Sequence, residues 1–226
     1  MELRGRRRVS RRPTGTRDAA TIVEGLSISD VDQALALYAA GFFPMDDPGE
    51  AFGPLPFFAA EDRAIIELDE RTRARVRRRV RRSLRVGEDW SLRIDTAFGT
   101  VLDACARPRH ADDGVWITPR LAELYRAMHA AGHAHSFEIY AGDRLGAGLL
   151  AVLIGRAAML ESMSHRVSHA GNVLVARTLD HLAARGFHFA DLQLPTDHTI
   201  RLGARLIARE EYERRLQAAL RDGSAR

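Results

Sequence analysis

Five consecutive stretches decide the fold: SFEIY (Ser136–Tyr140), AGD (Ala141–Asp143), LGAGLLAVLI (Leu145–Ile154), GR (Gly155–Arg156) and AAMLESM (Ala157–Met163). Three apolar runs of strand length separated by short glycine-containing turns predict an antiparallel meander. Beyond it, Val173–Ala184 has helical apolar spacing and is stopped by Gly186, and Phe187–Leu194 is a fourth strand-like run ended by Pro195. Upstream, Thr118-Pro119 sets a cap residue before a proline at the first helical position. That helix turns Leu121, Leu124, Tyr125 and Met128 inward and ends at Gly132. Leu92–Ile94 predicts a short strand and Ala97–Ala106 a helix. Helix, meander, helix and strand together predict an α+β fold on a mixed sheet.

The N-terminal part differs in character. Residues 1–22 are basic and aperiodic, which predicts a disordered tail. A short helix follows, with Ser29 as cap, Asp32 at the capping-box position, Val31, Ala34, Leu35 and Tyr38 as its apolar stripe, and Gly41 closing it. Phe42–Phe58, rich in Pro, Gly and aromatics, reads as an ordered loop. The pattern changes near Ala59–Arg63. The expected division is a tail over 1–22, a small N-terminal domain over 23–62, a larger domain over 63–218 and a tail over 219–226, within a length that one large or two small cores can fill.

Composition excludes several chemistries. No apolar run approaches the roughly 18 residues of a membrane span, and the basic N-terminus lacks the apolar segment of a secretory signal. Cys105 is the sole cysteine, so neither a disulfide framework nor a thiolate metal cluster is available. A cytoplasmic protein without membrane contact is expected. The net charge is +4, and all 34 Lys+Arg residues are arginine, which removes Schiff-base and P-loop lysine mechanisms. Arginine is concentrated over Arg4–Arg12 and, more densely, at Arg71, Arg73, Arg75, Arg77, Arg78, Arg79, Arg81, Arg82 and Arg85. At helical spacing these cover most of a helix's circumference and repel one another unless a polyanion is near. Guanidinium forks suit phosphate oxygens; the alternative is a solvated surface helix.

The other signal is polar. Glu161, Asp191 and Gln193 stand at the ends of apolar strand-like runs, where an unpaired carboxylate costs several kcal/mol or more by rough estimate. By the period of two, Met159, Glu161 and Met163 share one face, and Asp191 and Gln193 share another with Phe187 and Phe189. They line a pocket with a polar mouth, or else Glu161 pairs with an arginine and Asp191 and Gln193 satisfy backbone donors. His129 and His133 have a ligand-like spacing but no intervening glutamate, and His165 and His169 repeat it in a loop, so no metal site is expected. Cys105 lies on an apolar helix and reads as core. The strand and helix pattern resembles acetyltransferase-type sheets, although Arg166–Asn172 lacks the spacing of a coenzyme A pyrophosphate loop.

Seven stretches carry a more specific likeness: Tyr38-Ala39-Ala40-Gly41-Phe42-Phe43-Pro44-Met45, Ala97-Phe98-Gly99, Trp116-Ile117-Thr118, Gly132-His133-Ala134-His135-Ser136, Glu161-Ser162-Met163, Asp191-Leu192-Gln193, and His198 with Leu202-Gly203-Ala204. In this order and spacing, from about Gly25 to Tyr212, the chain resembles the leucyl/phenylalanyl-tRNA–protein transferases. The resemblance implies transfer of Leu or Phe, with Met as a further candidate, from aminoacyl-tRNA to proteins beginning with Arg or Lys, marking them for degradation. It implies no metal and no cofactor, because the donor is already an activated ester, and the chain is expected to act as a monomer. Asp191 and Gln193 then sit beside the acceptor amine, Asp191 orienting Gln193, and Glu161 meets the cationic N-terminal residue. Leu149, Ala158, Leu160, Met163, Val175 and Leu182 line the aminoacyl and adenosine pocket, with Trp116 and Met45 near its mouth. The arginines from Arg71 to Arg85 face the tRNA acceptor arm.

The chain departs from the family pattern at Leu160 (usually Gly), at Ala158 (usually a bulky aromatic), at Phe57-Phe58-Ala59-Ala60, at Ser164-His165-Arg166 and at Asn172. These changes bear on donor preference and acceptor choice. Two rival functions are a coenzyme A-dependent N-acyltransferase and a non-catalytic tRNA-binding protein.

Overall fold

The computed structural model describes residues 21–23, 30–49, 54–108 and 115–224. In chain order, β1 (Thr21–Val23), α1 (Val31–Ala39), β2 (Phe43–Pro44) and β3 (Phe57–Ala59) form an N-terminal layer. β4 (Asp62–Glu67), α2 (Glu70–Arg79), α3 (Arg81–Val86), β5 (Ser91–Ile94), α4 (Phe98–Cys105) and α5 (Pro119–Ala130) come next. The meander is β6 (Ala134–Ala141), β7 (Arg144–Ile154) and β8 (Ala157–His165). Then follow α6 (Ala170–Ala184), β9 (Phe189–Asp191), α7 (Asp197–Leu202), β10 (Arg205–Ala208) and α8 (Arg209–Ser224).

Seven strands make one mixed sheet in the order β10-β4-β9-β8-β7-β6-β5, as the α+β expectation requires. Its neighbours are antiparallel except β8 and β9, which α6 joins as a parallel crossover unit. β1, β3 and β2 form a separate three-stranded sheet. Apolar side chains fill both faces of the large sheet. On one face Leu102, Tyr125, Leu150, Met159 and Tyr212 pack with Tyr38 and Phe57 of the N-terminal layer. On the other, Phe137, Leu149, Ala158, Leu174 and Leu182 lie beneath α6, with Val76 and Val80 alongside.

Local chemistry accounts for the predicted elements. Thr118 caps α5 by accepting from Leu121 N, Pro119 occupies the first turn, and Gly132 takes φ +79° just beyond the end. The meander turns at Gly142 (φ +63°) and Gly155 (φ +56°).

Several boundaries differ from expectation. Asp30, a cap as good as serine, accepts from Asp32 N to start α1; Ser29 lies outside the described residues. The Phe42–Phe58 segment contains β2 and enters β3, and these short strands pair with each other across the aromatic loop. α6 begins at Ala170, three residues before its first expected position. β9 is only Phe189–Asp191, because Gln193 leaves extended geometry at φ +58°. β4 and β10 were not expected, and β4 is an inner strand of the sheet. Residues 219–224, expected as a tail, continue α8, and Ala219 is fully buried. Residues 1–20 of the expected N-terminal tail lie outside the described residues, while Thr21 and Ile22 pair with Ala59 and Phe58 in β1.

Candidate active site

The parallel strands β8 and β9 pair only over Ala157–Met159 and Phe189–Asp191, then separate. Where they part, β8 carries a bulge: Leu150 faces Ser162 and Ala151 faces Leu160, so Glu161 is the extra residue. The bulge breaks the period of two. Met159 and Glu161 lie on the Tyr38–Tyr125 side, whereas Met163 crosses to the α6 side. The expectation that all three share one face is therefore corrected. The same holds for the last strand: Phe189 and Asp191 face the Tyr212 side, while Phe187 packs beneath α6.

Asp191 is wholly enclosed. Arg63 of β4 donates to its Oδ1 from Nε at 3.0 Å and to its Oδ2 from Nη2 at 2.8 Å. The Tyr212 hydroxyl donates to Oδ2 at 2.7 Å, and the Gln193 backbone N–H donates to Oδ1 at 2.9 Å. Arg63 Nη1 donates to Gly41 O at 3.0 Å, and the guanidinium is held between the rings of Phe43 and Tyr212, 4.6 and 4.5 Å from their centroids. The carboxylate raises the Arg63 pKa against the opposing effect of burial. Asp191 thus reaches Gln193 through the backbone and not through its side chain. It holds the left-handed conformation of Gln193, whose amide, assigned with its nitrogen facing these carbonyls, donates to Leu192 O at 2.9 Å and to Leu160 O at 3.2 Å. The second contact spans the gap between the parted strands.

Glu161 is a different kind of acid. The Tyr125 hydroxyl donates to its Oε2 at 3.2 Å, and its buried Oε1 has no hydrogen-bond partner. The buried Tyr38 hydroxyl lies beside this carboxyl without meeting hydrogen-bond geometry. Burial pushes the Glu161 carboxyl up to about 8, with Asp191 adding to the rise and the Tyr38 and Tyr125 hydroxyls and the Arg63 charge opposing it. At neutral pH the acid is mostly protonated. Burial also raises the hydroxyl pKa values of Tyr38 and Tyr125.

The expected pocket residues divide. Leu149, Ala158, Leu160 and Met163 converge in one cluster with Val175 and Leu182 of α6. Trp116 packs on the opposite face, and Met45 is a half-exposed neighbour in the N-terminal layer. Met45 and Trp116 are kept close by Asp46, whose N–H donates to Trp116 O. The Asp46 carboxylate, 5% exposed, takes Thr118 and Arg120. The expected single basic helix is two helices, broken at Val80, which leaves helical geometry at ψ +17°. Arg73 and Arg77 are tied down on Glu70 and on Asp180 of α6, and Arg79 donates to Arg201 O. Arg71, Arg75, Arg78, Arg82 and Arg85 recur every three or four residues as an exposed series, with Arg81 exposed beside them.

Sequence reasoning missed Arg63 and Tyr212 and read Tyr38 and Tyr125 only as helix core. Arg63 carried a usable signal, since a charged side chain opens the apolar run Ala64-Ile65-Ile66 much as Asp191 closes one. The histidines have local partners: His129 stacks on Phe98 with ring centroids 3.8 Å apart, His135 Nδ1 lies 2.7 Å from Asp95 Oδ2, and His169 Nδ1 lies 3.0 Å from Ser83 Oγ.

Residues 65–217 match the family model described as leucyl/phenylalanyl-tRNA protein transferase. A leucyl/phenylalanyl-tRNA–protein transferase of Synechococcus sp. (strain JA-3-3Ab) is 39% identical over 85% of this chain and 95% of its own. One from Azoarcus sp. (strain BH72) is 38% identical over 79% of this chain and 73% of its own. The chain belongs to the leucyl/phenylalanyl-tRNA–protein transferase family. In fold this family member is similar to the crystal structure of FemX, with a TM-score of 0.50 and 11% identity over 84% of this chain and 70% of that one. Glu161, Asp191, Gln193 and Tyr212 fall inside the family match, and Arg63 lies two residues before it.

Two measurements check the site of this transferase-family protein. Arg63→Met leaves Asp191 buried without its cation, and a loss of about 3–5 kcal/mol is expected in urea unfolding. Adding Asp191→Leu is expected to recover part of that loss; strictly additive losses would mean the two side chains do not act as a pair. For Glu161, the folded-state pKa of about 8 lies above the ordinary 4.5, so its contribution is fully present below about pH 4.5 and is lost as pH rises through 8. The stability of the wild type relative to Glu161→Gln should therefore fall across this window, by at most about 1.4 kcal/mol per pH unit. A difference that stays flat from pH 5 to pH 8 would show an ordinary carboxylate.

Proposed function

We propose that the protein moves leucine or phenylalanine from aminoacyl-tRNA to the α-amino group of a protein, with acceptors that begin with Arg or Lys. The observation that carries this reading is membership of the transferase family across residues 65–217, which include the parted-strand site at Glu161 and Gln193. The acceptor nitrogen attacks the ester carbonyl. A C–N bond forms, the bond from carbonyl carbon to ribose oxygen breaks, the amine gives up a proton and the ribose oxygen gains one. The ester supplies the driving force, so the reaction as written needs no nucleotide hydrolysis and no redox partner. An α-amine has a reference pKa near 8, so an appreciable fraction is neutral at pH 7, and alignment is the main task left to the enzyme.

The residues take roles that follow from their surroundings. Asp191 has its lone pairs committed to Arg63, Tyr212 and the Gln193 N–H, so it acts as a positioning residue and not as a base. Gln193, anchored at the strand parting, aligns the amine. Glu161 receives the acceptor's cation; an arriving positive charge favours the carboxylate, so acceptor binding near pH 7 releases a proton. The amine's own proton leaves through water or the ribose hydroxyl. The donor side chain and terminal adenosine enter at the apolar cluster on the α6 side of the sheet, from which Trp116 and Met45 are separated by the sheet, and the exposed arginine series meets the tRNA backbone. Ala158 and Leu160 shape that pocket and set the ranking among Leu, Phe and Met. We read the large sheet as acetyltransferase-like, the N-terminal layer as a small appended domain, and the protein as a cytoplasmic monomer; among the described residues no helix is long and apolar enough to cross a membrane.

The direct test is transfer of labelled Leu, Phe and Met from charged tRNA to peptides beginning with Arg, Lys, Asp or Glu. Transfer to Arg and Lys peptides is expected, and Glu161→Gln should narrow the preference for them. Equal transfer to all four peptides by the wild type would remove Glu161 from acceptor choice. The arginine series has its own signature: converting Arg78, Arg82 and Arg85 to Gln should lower the slope of log affinity for tRNA against log salt by about 2 to 3. Converting Arg73 and Arg77, already committed to Glu70 and Asp180, should leave that slope nearly unchanged.

A further inference from the structure

A cleft lies away from the strand parting. It has a volume of about 510 Å³ and opens at the foot of α6, where β8 begins and β9 is about to begin. Its floor is apolar, formed by Ile94, Phe137, Leu153, Leu182 and Phe187. Arg156 and Arg185 line it from the β7–β8 turn and the end of α6, and His181 also lines it with its ring edge-on to Phe137, centroids 5.9 Å apart. Arg156 commits one nitrogen, Nη1, to Arg185 O at 2.8 Å, which draws the two residues together and leaves its other donors for a ligand. Asp95, the one acid lining the cleft, is already engaged by His135 and by Ser136 N. Two arginines against one acid leave positive charge in excess here; burial first and the Arg185 charge second hold the His181 imidazole below its usual pKa.

We propose that this cleft is a binding site for a small amphipathic anion, a flat or branched apolar body bearing one carboxylate, sulfonate or phosphate. The volume falls within the range of about 300–1,000 Å³ that suits small ligands, and an apolar floor with a few convergent polar groups is the usual make-up of such sites. A single anionic group takes the two guanidinium groups, which bind it with charge-assisted hydrogen bonds. The site is separate from the transfer chemistry: Arg156 and Glu161 are five residues apart on an extended chain, roughly 16 Å at about 3.3 Å per residue. The cleft's apolar floor is the near end of the same α6-side cluster proposed for the donor, with Leu182 named in both, whereas Arg156 and Arg185 belong to the cleft alone.

The test uses two fluorescent probes that differ by one sulfonate, 8-anilinonaphthalene-1-sulfonate and N-phenyl-1-naphthylamine, titrated into the full-length protein. The sulfonated probe is expected to bind at one site about tenfold tighter than the neutral one, the value of one good charge-assisted contact. Arg156→Gln with Arg185→Gln should abolish that advantage while leaving the binding of the neutral probe unchanged. If the double variant does not fold, Arg185→Gln alone, at an exposed side chain, should lose part of the same advantage. Equal affinities for the two probes in the wild type, or an unchanged sulfonate advantage in the folded variant, would overturn the proposal. The readout is probe fluorescence, so the result stands apart from whether the protein transfers amino acids.

Discussion

The buried ion pair between Arg63 and Asp191 is the contact on which the arrangement of the site depends. It joins β4 to β9 through two side chains 128 positions apart, at the point where β9 ends. An arginine and an aspartate with almost no exposure carry a large desolvation cost, so their presence has to be offset by dense pairing. The structure supplies it: the guanidinium is sandwiched by two aromatic rings and capped by the Gly41 carbonyl, and the carboxylate takes a hydroxyl and a backbone N–H in addition. Because these partners come from the α1–β2 turn, β4, β9 and α8, any displacement of one element leaves a charge unpaired. The pair therefore fixes where β9 stops and in which direction Gln193 leaves it.

Two acids a short distance apart reach opposite solutions to burial. Asp191 is surrounded by donors from Arg63, Tyr212 and the Gln193 N–H. Glu161 has only tyrosine hydroxyls near it and one oxygen without a partner, so it keeps its proton. The β-bulge is what separates these fates. A regular strand's alternation would place Glu161 and Met163 on one face; with the bulge, the carboxyl turns towards Tyr38 and Tyr125 while Met163 joins the apolar cluster on the α6 side. Two β8 residues two positions apart can then meet different parts of a substrate.

What was legible in the sequence follows from the range of each interaction. The meander, the start of α5 and the stop of α6 are written in local signals: apolar runs, a Thr-Pro cap and glycines at positive φ. Glu161, Asp191 and Gln193 stood out because polar residues ending apolar runs are costly wherever the partners lie. Their partners were not legible. Arg63 looked like a domain boundary because β4 is short and pairs only with β9 and β10, both far along the chain. The bulge could not be read at all, since it exists only in the register between two strands. The arginine run showed the same limit: its composition was plain, but the removal of Arg73 and Arg77 depends on Asp180, 107 and 103 positions away.

The protonated state of Glu161 also gives the two proposed substrates opposite effects on one proton. A tRNA backbone brought close by the arginine series adds negative potential, which disfavours the carboxylate and keeps the acid neutral. A cationic acceptor terminus adds positive potential and drives the proton off. An acid already near pH 8 responds to both within the physiological range, whereas one at the ordinary carboxylate value would remain ionised throughout. Before the acceptor arrives, the site carries no fixed negative charge from Glu161 to repel the polyanion. In the proposed transfer, seating the acceptor draws the proton off and sets a carboxylate opposite its cation. On that proposal a single titrating group, held in place by the bulge and neutral because it is buried, reconciles a negatively charged donor with a positively charged acceptor.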